Sequence, residues 1–187
     1  MLKRLPNILT LFRIFMTPAL LIVYLIPGPI GNWLACLIFY LAAITDYLDG
    51  WLARKLEATS EFGRMLDPIA DKLMVVAVII ILIEFRDISG IHSLAAGLII
   101  MREILISWFR EYLTDRGVTL AVSQIAKFKT TIQMIALGIL LLGEAGEMIS
   151  PLIKMTGLGL FWTATFFTVW TAIDYLSKGL ALLKEKN

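Results

Sequence analysis

Apolar residues run along this chain in blocks long enough to cross a bilayer, separated by short polar or Gly/Pro-rich breaks. The pattern predicts six membrane helices, at roughly 7–26, 32–55, 65–85, 91–114, 126–143 and 154–181. The breaks have local causes. "PGPIGN" (27–32) closes the first helix with Pro and Gly, and "EFRDISG" (84–90) is polar and ends in Gly. "TDRGVTLAVSQ" (114–124) is a longer polar connection, and "GEAGEMISP" (143–151) carries two Gly, two Glu and a Pro. The start, "MLKRLPNILTLFRIF", has no small-residue cleavage site after its apolar run, so it reads as a first helix and not a removed signal peptide.

Composition agrees with that pattern. Of 187 residues, 59% are hydrophobic and 17% charged, and the mean hydropathy is +0.83. Soluble domains are about half apolar and about a quarter charged. The chain is expected to be an all-α integral membrane protein in a single domain, 1–187, and not a soluble bundle. A net charge of +2 gives no reason to expect nucleic acid as a partner. The single cysteine, Cys36, has no internal disulfide partner and reads as a buried or lipid-facing filler.

Basic residues set the orientation. The loops after helices one, three and five hold only Arg86 and Lys154 of the 17 Lys and Arg. By the positive-inside rule both termini and the even loops face the cytoplasm, in a multi-pass protein of the cell membrane. Residues 1–5, with Lys3 and Arg4, either lie along the membrane surface or form a plain charged tail.

Four aspartates interrupt the apolar pattern between helices two and three: Asp46, Asp49, Asp67 and Asp71. Asp46 is 14 residues from Asn32 and Asp71 is 13 from Glu84. Both markers are at the outer side, so these two acids lie roughly 20 Å in. Asp49 and Asp67, each 17 residues from the same markers, lie roughly 25 Å in. In a core about 30 Å thick, all four fall in the inner third. They pair by depth, Asp46 with Asp71 and Asp49 with Asp67. The i,i+3 and i,i+4 spacings put each pair on one helix face. The result is a four-carboxylate cup open to the cytoplasm.

Such acids repel one another and resist desolvation, so cations must offset them. All-oxygen ligation suits hard ions such as Mg²⁺ or Mn²⁺, and four acids suit two ions bridging a phosphate group better than one. A solvated interfacial loop accounts for Glu57 and Glu61. It does not account for Asp46 and Asp71, which lie more than a turn inside. Gly50 and Ala53, each i+4 from an acid, clear that face for a ligand or serve ordinary helix packing. Pro68 either opens a helix after an Asp67 cap or kinks one that began earlier.

These residues read D-x2-D-G-x2-A-R-x8-G-x3-D-x3-D, from Asp46 through Gly50, Ala53, Arg54, Gly63 and Asp67 to Asp71. The string resembles the signature of the CDP-alcohol phosphotransferase family at every position. Three further stretches, "PNILTLFRIFMTP", "IIMREILISWFREY" and "AKFKTTIQM", resemble its bacterial members that use glycerol 3-phosphate. The last departs from them at Ala126, where Gly is usual.

The resemblance implies a six-helix fold and a reaction. CDP-diacylglycerol and sn-glycerol 3-phosphate would give phosphatidylglycerol phosphate and CMP. It implies that Asp46, Asp49, Asp67 and Asp71 hold two divalent ions, with Asp71 also the general base. Gly50, Ala53, Arg54 and Gly63 would line the cytidine diphosphate site. A homodimer is also implied.

An anionic acceptor needs cations, and Arg102, Arg110, Lys127 and Lys129 are the candidates. Flanking positive-inside charge is the alternative for the two lysines, and an interfacial anchor for Arg110. Glu103, next to Arg102, is expected to point elsewhere on the helix. Asn7, Thr10 and Arg13 form a polar stripe on helix one that faces the cup and the CDP-lipid, unless Arg13 snorkels to lipid phosphates. Asp174 has no expected role beyond helix contacts, and His92 reads as structural. Rival readings are a family member with inositol phosphate or serine as acceptor, and a divalent-cation transporter.

Overall fold

A computed structural model describes the backbone of residues 5–56, 61–120 and 124–186, and the side chains of residues 11–45, 69–70, 72–120 and 124–184. The described residues form seven helices and no strand: α1 (Leu5–Tyr24), α2 (Pro29–Leu56), α3 (Glu61–Glu84), α4 (His92–Asp115), α5 (Gln124–Leu140), α6 (Gly143–Ile149) and α7 (Pro151–Lys186). By contact they group into two compact units. One comprises residues 1–87 and 137–155, the other residues 88–136 and 156–187.

Local chemistry explains the breaks. Gly28 turns the chain at φ 85°, and Pro29 opens α2, where its missing N–H costs nothing. α4 ends in a Schellman turn. Gly117, at φ 67°, donates to the Thr114 carbonyl at 2.8 Å, and Val118 donates to that of Leu113 at 2.9 Å. Val118 and Leu113 are buried in one cluster, the apolar contact expected of that turn. Ser150 caps α7, its Oγ accepting from the Leu152 N–H at 3.3 Å, with Pro151 in the first turn.

Two sequence expectations are corrected. The polar stretch 143–151 is not a simple loop: it holds α6, bent 78° from α5. Its Gly and Glu residues hid a short helix. α3 begins at Glu61, four residues earlier than expected, so Pro68 lies inside a helix that had already begun.

In the first unit α1 packs against both α2 and α3, and α2 against α6. Leu20, Phe39, Val78, Ile79, Leu82 and Leu140 fill its core. Cys36 is buried there, its thiol donating to the Gly138 carbonyl at 3.4 Å. A polar clasp ties the helix ends. The Tyr24 hydroxyl donates to Asp87 Oδ2 at 2.8 Å. Lys154 then bridges Asp87 at 3.3 Å and Glu147 at 2.6 Å.

In the second unit, α4 buries a stripe of Ala95, Ala96, Ile99, Ile106, Phe109 and Leu113. Its other face exposes Met101, Ile104 and Trp108. A helix buried on one stripe and apolar on the other suits lipid, not water. Trp162 donates to His92 Nδ1 at 2.9 Å, which gives that histidine a structural role. Phe109 presses on α7 at Gly179, where a side chain would collide with its ring.

Among the described residues, α4 and residues 151–184 of α7 are each long and apolar enough to cross a membrane. The bent pair α5–α6 makes a third if it forms one span. The protein is a helical, multi-pass membrane protein.

Candidate active site

Continuous helix carries each acid pair. Asp46 and Asp49 lie three apart on α2, and Asp67 and Asp71 four apart on α3, so each pair shares a helix face. The side chains of these four lie outside the described residues, as do those of Asn7, Thr10, Gly50, Ala53, Arg54 and Gly63. Carboxylates in this number supply only hard oxygen donors, a donor set that fits divalent ions of the Mg²⁺ or Mn²⁺ type.

α1, which packs on both acid-bearing helices, contributes Arg13. That residue is 2% exposed. Its guanidinium is held within the protein and does not snorkel to lipid.

The second unit contains a partly buried cationic cluster. Lys129, on α5, is 1% exposed. Its Nζ lies 2.5 Å from Glu103 Oε1 on α4, and Arg102 Nη1 lies 3.2 Å from the same oxygen. Adjacent helical residues leave the axis in different directions. The long Arg102 and Glu103 side chains nevertheless meet, which corrects the expectation that Glu103 points away. Two cations therefore share one carboxylate, and these three groups carry a surplus positive charge. Among the described side chains that surplus is not offset, and an anionic ligand would complement it. Arg102 Nε and Gln133 Oε1 are buried and have no hydrogen-bond partner among the described residues. A phosphate is the natural complement to the paired cations, with Arg102 able to present a planar donor fork.

The other two cationic candidates are elsewhere in this unit. Arg110 is exposed, with its guanidinium 5.7 Å from the centre of the Tyr175 ring. Lys127 is exposed as well, two residues from Lys129 and on another face of α5. Asp174 pairs with Lys178 one turn along α7, at 2.8 Å.

Two polar residues of the cluster escaped the sequence reading. Glu103 follows Arg102 directly, a spacing that points the two Cα–Cβ bonds in different directions. Gln133 falls within "AKFKTTIQM", where the sequence gives it no role of its own. Its i,i+4 relation to Lys129 was the available signal.

Paired acids on two helices of a membrane protein supply a donor set suited to metal-assisted chemistry on phosphate esters. The chain belongs to the CDP-alcohol phosphatidyltransferase family, whose model matches residues 3–170. It is 44% identical to the CDP-diacylglycerol–glycerol-3-phosphate 3-phosphatidyltransferase of Rickettsia bellii, over 92% of this chain and 93% of that one. It is 38% identical to the enzyme of the same name from Escherichia coli K12, over 97% of both chains. The similarly named protein of Cereibacter sphaeroides is 35% identical, over 97% of this chain and 98% of its own. The family uses divalent metal ions, in keeping with the carboxylate donor set.

Proposed function

We propose that this protein transfers a phosphatidyl group from CDP-diacylglycerol to sn-glycerol 3-phosphate, giving phosphatidylglycerol phosphate and CMP. Near-full-length similarity to enzymes of that name supports the reading. The observation that carries the anionic acceptor is the partly buried Arg102–Glu103–Lys129 cluster, with two cations to one carboxylate. A cationic or zwitterionic acceptor such as choline or serine gains little from that charge. Inositol phosphate is the remaining family alternative, because it too offers a phosphate.

The roles follow from the residues. Arg102 and Lys129 hold the acceptor's phosphate, and Arg110 and Lys127 add positive potential that draws anions. Asp71 accepts the proton of the acceptor's primary hydroxyl as that oxygen attacks the lipid-linked phosphorus. Gly50, Ala53, Arg54 and Gly63 line the site of the cytidine diphosphate group, with Asn7, Thr10 and Arg13 beside them. Two divalent ions, Mg or Mn, bound by Asp46, Asp49, Asp67 and Asp71 would neutralise charge on the pyrophosphate and the departing CMP. The protein's own contribution is mainly positioning and fixed charge.

The chain is read as one catalytic domain of six spans, its termini and acids on the cytoplasmic side of the inner membrane. The distribution of Lys and Arg supports that orientation. A homodimer is part of the same proposal. The test is product identity. Purified protein in detergent, given CDP-diacylglycerol and glycerol 3-phosphate with Mg²⁺, should form phosphatidylglycerol phosphate, detected by mass spectrometry. Absence of that lipid, with another acceptor consumed instead, refutes the assignment.

A further inference from the structure

Gln133 is 1% exposed, and its Oε1 has no hydrogen-bond partner among the described residues. It stands i+4 from Lys129 on α5, so the two occupy one face of the helix, a turn apart. A lone buried amide oxygen carries a desolvation penalty that Met or Leu would avoid. The penalty is understandable if a ligand supplies the missing partner.

We propose that Gln133 is a specificity residue that hydrogen-bonds the secondary hydroxyl of glycerol 3-phosphate, while Lys129 holds its phosphate. This rests on the function proposed above and adds a residue to it. A phosphate oxygen cannot be the partner, because two acceptors repel. A hydroxyl is both donor and acceptor, so it suits whichever end of the amide meets it. The primary hydroxyl is the attacking group and gives up its proton, which leaves the secondary one. A helical turn rises about 5.4 Å, a span that the phosphate ester, its neighbouring carbons and two flexible side chains bridge. Sites built to bond a substrate hydroxyl strongly reject analogues that lack it, because the protein group is then left buried and unpaired.

The experiment compares kcat/KM for glycerol 3-phosphate with that for 3-hydroxypropyl phosphate, which lacks only the secondary hydroxyl. The wild-type enzyme should prefer the natural acceptor by about tenfold or more. Gln133→Met, similar in shape but without the amide, should bring the ratio to near unity and leave the KM for CDP-diacylglycerol unchanged. Gln133→Asn keeps the amide but shortens its reach, and should give an intermediate ratio. Failure of wild-type protein to release CMP with glycerol 3-phosphate refutes the function itself. Turnover of both acceptors with equal efficiency by the wild type, or an unchanged ratio in the folded Met variant, overturns the role of Gln133 alone. Should the Met variant not fold, an unchanged ratio in the Asn variant does the same.

Discussion

The Lys129 ammonium lies 2.5 Å from the Glu103 carboxylate, and this ion pair joins α5 to α4 across 26 residues of sequence. Only 1% of the Lys129 side chain and 16% of that of Glu103 are exposed. The pair is thus held largely out of water. Removing one partner of a buried pair leaves the other uncompensated. Lys129→Met should therefore destabilise the protein by about 3 kcal/mol, read as a lower midpoint in detergent denaturation. The double variant Lys129→Met with Glu103→Gln should recover part of that stability and none of the activity.

Glu103→Gln alone tests whether the pair positions a cation for substrate. The KM for glycerol 3-phosphate should rise by about tenfold, with the KM for CDP-diacylglycerol unchanged. Steady-state kinetics with each substrate varied in turn makes the distinction. Equal changes in both constants would point to a purely structural pair.

The acids of α2 and α3 should be indispensable. Asp67→Asn and Asp71→Asn should each abolish CMP release while the protein elutes as folded material with an unchanged helical circular-dichroism spectrum. Near-normal turnover in both variants contradicts the two-metal reading.

Chelation provides an independent check. EDTA should stop CMP release, and added Mg²⁺ or Mn²⁺ should restore it. Activity that survives exhaustive chelation is incompatible with the metal role of the four aspartates.

Stability can be separated from catalysis at Gly143. Its φ is 41°, and a Cβ there would lie 2.8 Å from Asn32 Nδ2 and 2.9 Å from the Tyr24 hydroxyl. Gly143→Ala should cost about 1–3 kcal/mol. Asn32 and Asp46 are 14 residues apart on α2, or about 21 Å. The variant should hence lower the thermal midpoint while KM values at low temperature stay near wild type.

Much of this was legible in the sequence, for physical reasons. Helical spacing and the fixed rise per residue put Asp46, Asp49, Asp67 and Asp71 on two helices, which the backbone of α2 and α3 bears out. Arg102 and Lys129 stand out because an anionic acceptor needs cations and charge within or beside an apolar block is unusual. The partner itself was not legible. Glu103 was judged by the direction of its backbone position, and long side chains on adjacent residues overrode that geometry. α6 was hidden because its Gly, Glu and Ala residues read as a connection, although with Met148 and Ile149 they still close a seven-residue helix. Gln133 gave only the weak signal of an i+4 spacing, because an unsatisfied amide can be recognised only once its surroundings are known.

The most direct measurement is CMP release from CDP-diacylglycerol by the purified protein with Mg²⁺, offered glycerol 3-phosphate, inositol phosphate or serine in turn. Release is expected with glycerol 3-phosphate, and little with the other two. Release with inositol phosphate or serine and none with glycerol 3-phosphate would contradict the proposed function.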